Sequence, residues 1–189
     1  MPTSIRDAKR PVLEQLAVAL RSMQWRGQKF RVRRTADAVR GDMALPDEIS
    51  ALWFVATYKV GLPPGQFALA PSAFLRGGPI WRAMRAGGAL AHDSSWLVAL
   101  QLTVTDPYQD CIPADVQGVQ VCSTFLTTTA PNVLAMFLDD WPGALAFLQQ
   151  HPQQVRYPSA ATLALQLLMQ DPSPKGEQLA GQAIRDLIG

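Results

Sequence analysis

The sequence predicts an α+β fold on three observations. Residues from Gln28 to Thr127 hold short runs rich in β-branched, aromatic or alternating apolar residues, the pattern of strands. From Pro131 onward apolar residues recur at helical spacing. An amphipathic stripe precedes both, in Leu13, Leu16, Leu20 and Met23. The expected organisation is a sheet-bearing domain over residues 1–127, with an N-terminal helix, and a helical region over 128–189 packed on it. With 189 residues, of which 48% are hydrophobic, the chain is long enough to bury a sizeable core.

Each element follows from its residues. Pro11 is expected to open the first helix, because Pro is tolerated where the N–H has no intrahelical partner. The run Arg26-Gly-Gln-Lys-Phe-Arg-Val-Arg-Arg34 predicts a basic strand. Thr35 is expected to cap a short helical turn reaching Arg40, broken by Gly41-Asp42. Leu45 to Val60 is expected as a second, largely buried helix, ended by the sharp punctuation Gly61-Leu-Pro-Pro-Gly65. Gln66–Ala70 and Ala73–Arg76 predict a short strand pair, and Gly78 precedes a third helix. Trp96–Thr105 is the strongest strand candidate. Asp106–Asp115 is expected as loop, and Val116–Thr127, with alternating Val and Gln, as strand with Cys122 buried in it. Among the late helices, Ser159 and Ser173 are expected N-caps, and Asp139-Asp140 an acidic cap for the helix starting at Pro142.

Charge is distributed unevenly. Ten of the 17 Lys and Arg lie in residues 1–40 against three acids, while Ala86 to Val155 holds no Lys or Arg and six Asp. A basic head of this kind points to a polyanionic partner, DNA or RNA. If Phe30 and Val32 face a core, Lys29, Arg31 and Arg33 take the opposite face. With Arg26 and Arg34 they form the expected nucleic-acid contact, binding through phosphates. The competing role for such a strand is an edge kept soluble by charge. Cys111 and Cys122 are too few for a disulfide scaffold and lack zinc spacing, so a reduced, cytoplasmic chain is expected. The N-terminus shows no apolar leader. The uncharged stretch Val116–Leu138 is interrupted by polar residues and Pro131, so no membrane span is expected, though association with the inner membrane through a partner stays open.

The run Arg76-Gly-Gly-Pro-Ile-Trp-Arg-Ala-Met-Arg-Ala-Gly-Gly88 carries the most chemistry. Two glycines break the backbone, Pro79 opens a helix, Trp81, Met84 and Ala89 take an inward face, and Gly87-Gly88 stop it. A Gly-rich turn, free amides and arginines make an anion site from Arg76, Gly77, Gly78, Arg82 and Arg85. Downstream, Ala91-His-Asp-Ser-Ser-Trp96 gathers His92, a candidate general base, and Asp93, a candidate metal ligand. Asp42, Asp47 and Glu48 offer further oxygens for magnesium. Adjacent His-Asp also fits a polar turn or helix cap. No Ser-His-Asp signature, Walker motif or dinucleotide fingerprint is present.

Residues Trp81–Gly88 resemble the Arg-Trp-Arg-Ala-Ala-Lys-Leu-Ala-Gly segment of the ParB/sulfiredoxin superfamily. Upstream, Leu45–Leu52, Val60–Gly65 and Phe67–Leu69 are similar in order to that superfamily's helix, Gly-x-x-x-Pro corner and strand. The likeness covers roughly residues 28 to 105. Pro79-Ile80 stand where the superfamily has Glu-Arg. Length, basic head and this segment together resemble the Osa-type fertility-inhibition factors of conjugative plasmids. The resemblance implies a ParB/sulfiredoxin-like small mixed sheet with packed helices. It also implies ATP binding and hydrolysis and DNA cleavage, for which Arg82, His92 and Asp93 are the candidate catalytic residues and magnesium the candidate metal; which acid holds the metal the sequence leaves open. The implied role is to block conjugative DNA transfer through a type IV secretion system, whose components or transferred DNA–protein complex would be partners. Two other classes fit the same residues: a non-enzymatic DNA-binding protein, and an interaction protein whose base-free middle docks on a secretion component.

Overall fold

In the computed structural model the described residues are 5–59, 62, 66–92, 95–102 and 112–189. The helices are α1 (Ile5–Ser22), α2 (Gly78–Ala86), α3 (Val116–Thr124), α4 (Ala130–Asp139), α5 (Trp141–Gln150), α6 (Pro158–Gln170) and α7 (Pro174–Ile188). The strands are β1 (Gln24–Trp25), β2 (Gln28–Lys29), β3 (Arg31–Arg34), β4 (Ala38–Ala44), β5 (Ser50–Tyr58), β6 (Ala68–Arg76), β7 (Val98–Gln101) and β8 (Ile112–Pro113). The α+β class is therefore as the sequence predicts. The larger sheet runs β3-β4-β5-β6-β7, with β8 beside β6, and is antiparallel rather than mixed. β1 and β2 form a separate small ribbon.

The chain divides into two compact units, each assembled from separated stretches. The first comprises Met1–Met43, Ala51–Ala73 and Gln101–Pro131, and the second Ala44–Ser50, Phe74–Leu100 and Asn132–Gly189. In the first, α1 packs on β3 and α3. Leu13, Leu16, Ala17 and Leu20 are fully buried, and each buried Leu contributes about 2 kcal/mol. Trp53 is fully buried: Trp25 and Phe30 set their rings against it, with centroids 5.3 and 4.6 Å away. Its Nε1 donates to the Leu126 carbonyl at 2.8 Å, so a large indole is buried without stranding its polar atom. In the second unit α2, α6 and α7 pack together through Ile80, Met84, Ala161, Leu165, Ala180 and Ile184. A Cβ on Gly87 would lie 2.5 Å from Ile184, so that close approach requires glycine.

Several elements differ from the sequence expectation. α1 begins at Ile5 with Pro11 inside it. The ring removes one helical N–H, but the buried leucines after it hold the helix against the sheet. Residues 35–37 form a hairpin turn, closed by Thr35 N donating to Ala38 O at 2.9 Å, and Gly41 lies within β4 instead of ending a helix. In its described residues, 45–59, the helix expected over Leu45–Val60 is a turn followed by β5. Ala51, Trp53 and Val55 are buried alternately, and a run of aromatic and β-branched residues suits a pleated surface better than a helix. The two short strands expected over Gln66–Arg76 are one strand, continuous through Pro71.

The reverse error occurs at Val116–Thr127, which is helix and not strand. The Asp115 carboxylate accepts from Gly118 N at 2.8 Å, capping α3, and Val119, Cys122, Phe125, Leu126 and Ala130 are buried at helical spacing. Of the alternating valines, Val116 and Val121 are 86% and 41% exposed while Val119 takes the buried side. A π-helical turn at Phe125–Thr129 joins α3 to α4. The resulting 24-residue helix Val116–Asp139 is long and apolar enough to cross a membrane by length and composition, a test that core helices also pass. Asp140 and Ser173 cap α5 and α7 as expected. Ser159 lies inside α6, which instead follows Tyr157 in the left-handed region at φ 49. The strand expected over Trp96–Thr105 is described only as β7. Residues 103–105, most of the Gly61–Gly65 corner and Cys111 lie outside the described residues.

Candidate functional site

The glycine turn and α2 form as the sequence predicts, but their surroundings alter the chemistry. Gly77 and Gly78 have φ of 91 and 80, which L side chains rarely adopt. A Cβ on Gly77 would stand 2.5 Å from the Glu48 carbonyl oxygen, and one on Gly78 3.0 Å from Leu138. Both glycines are buried. They let β6 turn into α2 tightly against neighbouring backbone, which is reason enough for two glycines. No side chain caps α2, and Pro79 contributes no amide to its first turn.

Arg82 is engaged within the protein. Its Nε and a terminal nitrogen donate to the two carboxylate oxygens of Glu177 on α7, at 2.8 and 2.6 Å, the fork-to-fork geometry of strong guanidinium pairs. Glu177 raises the Arg82 pKa, chiefly through this hydrogen bond, with Asp47 and Glu48 adding to it. Arg85 lies over the Trp81 ring at 5.7 Å. Arg76 donates to Ser50 Oγ at 3.2 Å and lies 5.7 Å from the Trp96 ring. The structure thus places Arg76, Arg82 and Arg85 around one strand–turn–helix, each on a partner of its own. Glu177 carries no sequence signal: it is 95 residues from Arg82, and only the packing of α7 on α2 makes the pair.

His92 is exposed, and its carbonyl accepts from Ser95 N at 3.0 Å. Asp93 lies outside the described residues. Asp42 is paired with Arg40, and Asp47 and Glu48 occupy an exposed turn at φ 58 and 60. Among the described residues no group of three His, Cys, Asp or Glu is placed to hold a metal ion.

The basic strand has a more open geometry. The Arg26-Gly27 turn links β1 to β2, Phe30 is buried, and Lys29, Arg31, Arg33 and Arg34 are exposed. β3 is the edge of the sheet. Its register with β4 sets Arg31 opposite Asp42, Val32 opposite Gly41, Arg33 opposite Arg40 and Arg34 opposite Val39. Side chains directly opposite share a face, so Arg31, Arg33 and Arg40 form an exposed patch with a half-buried Asp42 beside them. Asp42 is taken by Arg40. Lys29, Arg31 and Arg33 make no ion pair with the described residues. Arg34 takes the other face, where its Nε lies 3.1 Å from Glu14. Sequence reasoning missed Arg40 as part of the patch, because it assigned that residue to a helical turn.

No family model, curated protein or solved structure matches this chain at a significant level.

Proposed function

We propose that this chain binds the phosphate backbone of nucleic acid through the exposed face of β3 and β4, and that it serves to block conjugative DNA transfer through a type IV secretion system. The observation that carries the binding is Arg33 directly opposite Arg40, beside Arg31, which makes no ion pair with the described residues. Like charges opposite one another destabilise a ladder; Asp42 answers Arg40, and a polyanion would answer Arg33 and Arg31. An edge strand needs charge to resist pairing with another sheet, but it does not need two arginines facing each other. The conjugative role rests on the resemblance to Osa-type factors. Fluorescence anisotropy of a labelled oligonucleotide over a salt series tests the binding. On duplex DNA each phosphate neutralised by the protein adds about 0.9 to the log–log salt slope. Arg31→Ala with Arg33→Ala should therefore flatten the slope by about 1.8, the share of two phosphates. An unchanged slope would remove this face from the interface.

A second reading, ATP-dependent DNA cleavage with magnesium on a ParB/sulfiredoxin-like fold, is supported by the strand–glycine turn–helix order over Ala68–Ala86. In that reading Arg82 exchanges Glu177 for a phosphate, because one guanidinium fork cannot serve both. Glu177→Gln should then raise nucleotide affinity while Arg82→Ala abolishes it. Incubation of the protein with DNA, magnesium and ATP measures the cleavage itself. Intact DNA and unhydrolysed ATP would leave backbone binding as the activity.

A further inference from the structure

The first turns of α1 and the end of β3 enclose an open cleft of about 510 Å³ lined by Asp7, Arg10, Arg34, Thr35 and Ala36. Arg10 is exposed and makes no ion pair with the described residues. Arg34 also lines the cleft; it is held at Nε by Glu14, with 30% of its side chain exposed. Glu14 is also bound by Arg21 at 2.8 Å. One carboxylate therefore answers two guanidinium groups and feels a third, Arg10, and these hold its pKa below the ordinary value, Arg21 foremost. Arg10, Arg21 and Arg34 are three positive charges against two carboxylates, Glu14 and the Asp7 that also lines the cleft, which leaves one positive charge in excess. Thr35 is committed to the turn, its Oγ1 accepting from Asp37 N at 3.3 Å. Among the described lining residues there is no aromatic ring, so the cleft offers nothing on which to stack a base.

We infer that this cleft is a phosphate-group site in which Arg10 and Arg34 clamp one compact, multiply charged anion. Arg10 and Arg34 bring two guanidinium forks from different elements to one cleft, and such forks match the oxygens of a phosphate. The site is separate from the exposed patch on β3 and β4, because Arg34 takes the opposite face of the strand from Arg31 and Arg33. It therefore stands or falls independently of backbone binding there. The phosphate has two chemical sources, a free nucleotide or inorganic diphosphate, and the terminal phosphate of a nucleic-acid strand.

Calorimetry with inorganic pyrophosphate and with ATP, and anisotropy of one single-stranded oligonucleotide with and without a 5′-phosphate, test the site on the full chain. Arg10→Gln should weaken pyrophosphate binding about tenfold, the cost of one charge-assisted hydrogen bond. Arg34→Lys, which keeps the charge and the Glu14 pair but loses the fork, should weaken it several-fold. Arg31→Ala with Arg33→Ala should leave it unchanged. Equal response to pyrophosphate and ATP, with no effect of the 5′-phosphate, identifies a free phosphate compound. A 5′-phosphate preference that disappears in Arg10→Gln identifies a strand end. Wild-type protein that binds none of these probes, or binding that Arg10→Gln leaves intact, overturns the proposal. Loss of oligonucleotide binding in the Arg31 and Arg33 variant, with pyrophosphate binding retained, supports both sites separately.

Discussion

Arg82 shows how one long-range pairing changes the meaning of a side chain. On a helix behind two glycines it has the look of an anion ligand, and its removal would be expected to leave stability unchanged. Paired with Glu177, it contributes to holding α2 against α7. More than a third of its side chain meets water, so screening limits the pair to about 1 kcal/mol. Arg82→Ala and Glu177→Gln should each lower the melting temperature by a few degrees, and a double-mutant cycle should return a coupling of about 1 kcal/mol. Additive effects would deny the pair. Gly77 is more demanding. Gly77→Ala combines a left-handed backbone with a Cβ 2.5 Å from a carbonyl oxygen, and should cost about 3 kcal/mol by denaturant titration. Cys122 is fully buried, and burial pushes its thiol up to about 12. Peptide mapping should find it unalkylated in native protein at mildly alkaline pH and modified after unfolding.

At the scale of elements, legibility depended on where the punctuation lay. α2 was readable because Gly, Pro and Gly mark both its ends within a dozen residues, and the caps Asp140 and Ser173 are equally local. β5 was not readable, since a short apolar run fits a buried helix as well as a strand, and the partner strands that decide it are distant in sequence. α3 shows the opposite case: the alternating valines divide between its faces, Val116 and Val121 exposed and Val119 buried, while the buried residues keep helical spacing. The junction of α1 with β3 has a pH dependence of its own. Glu14 is held below the ordinary glutamate value of 4.5 by its hydrogen bond to Arg21, then by the fields of Arg21, Arg34 and Arg10. A lowered folded value means stabilisation present above 4.5 and lost as pH falls through the depressed pKa. Glu14→Gln should therefore melt below wild type at neutral pH and converge with it in acid. A gap that persists in acid would assign the effect to packing.

For the whole molecule, charge segregation is the dominant physical fact. The ten basic residues of the first forty place a positive field on one stretch of chain, and 70 residues from Ala86 to Val155 contain none. Binding led by such a field is insensitive to base sequence and falls steeply with salt. Oligonucleotides of equal length and unrelated sequence should therefore bind within a factor of about three of one another at fixed salt. A preference far larger than that would mean base-edge contacts, which an exposed arginine patch on an edge strand does not provide.

By itself the sequence determined the α+β class, the position of the glycine turn and α2, the caps of α5 and α7, and the basic character of β3. Each of these rests on neighbours in the chain: a proline beside glycines, a carboxylate three residues before a free amide, charge alternating with apolar residues. Tertiary structure alone decided that β5 is a strand and α3 a helix, that Glu177 meets Arg82, that Arg40 faces Arg33, and that Arg10 and Arg34 share a cleft. Those outcomes depend on pairing between residues far apart in the sequence, where the energy comes from burial and register and no local pattern records the partner.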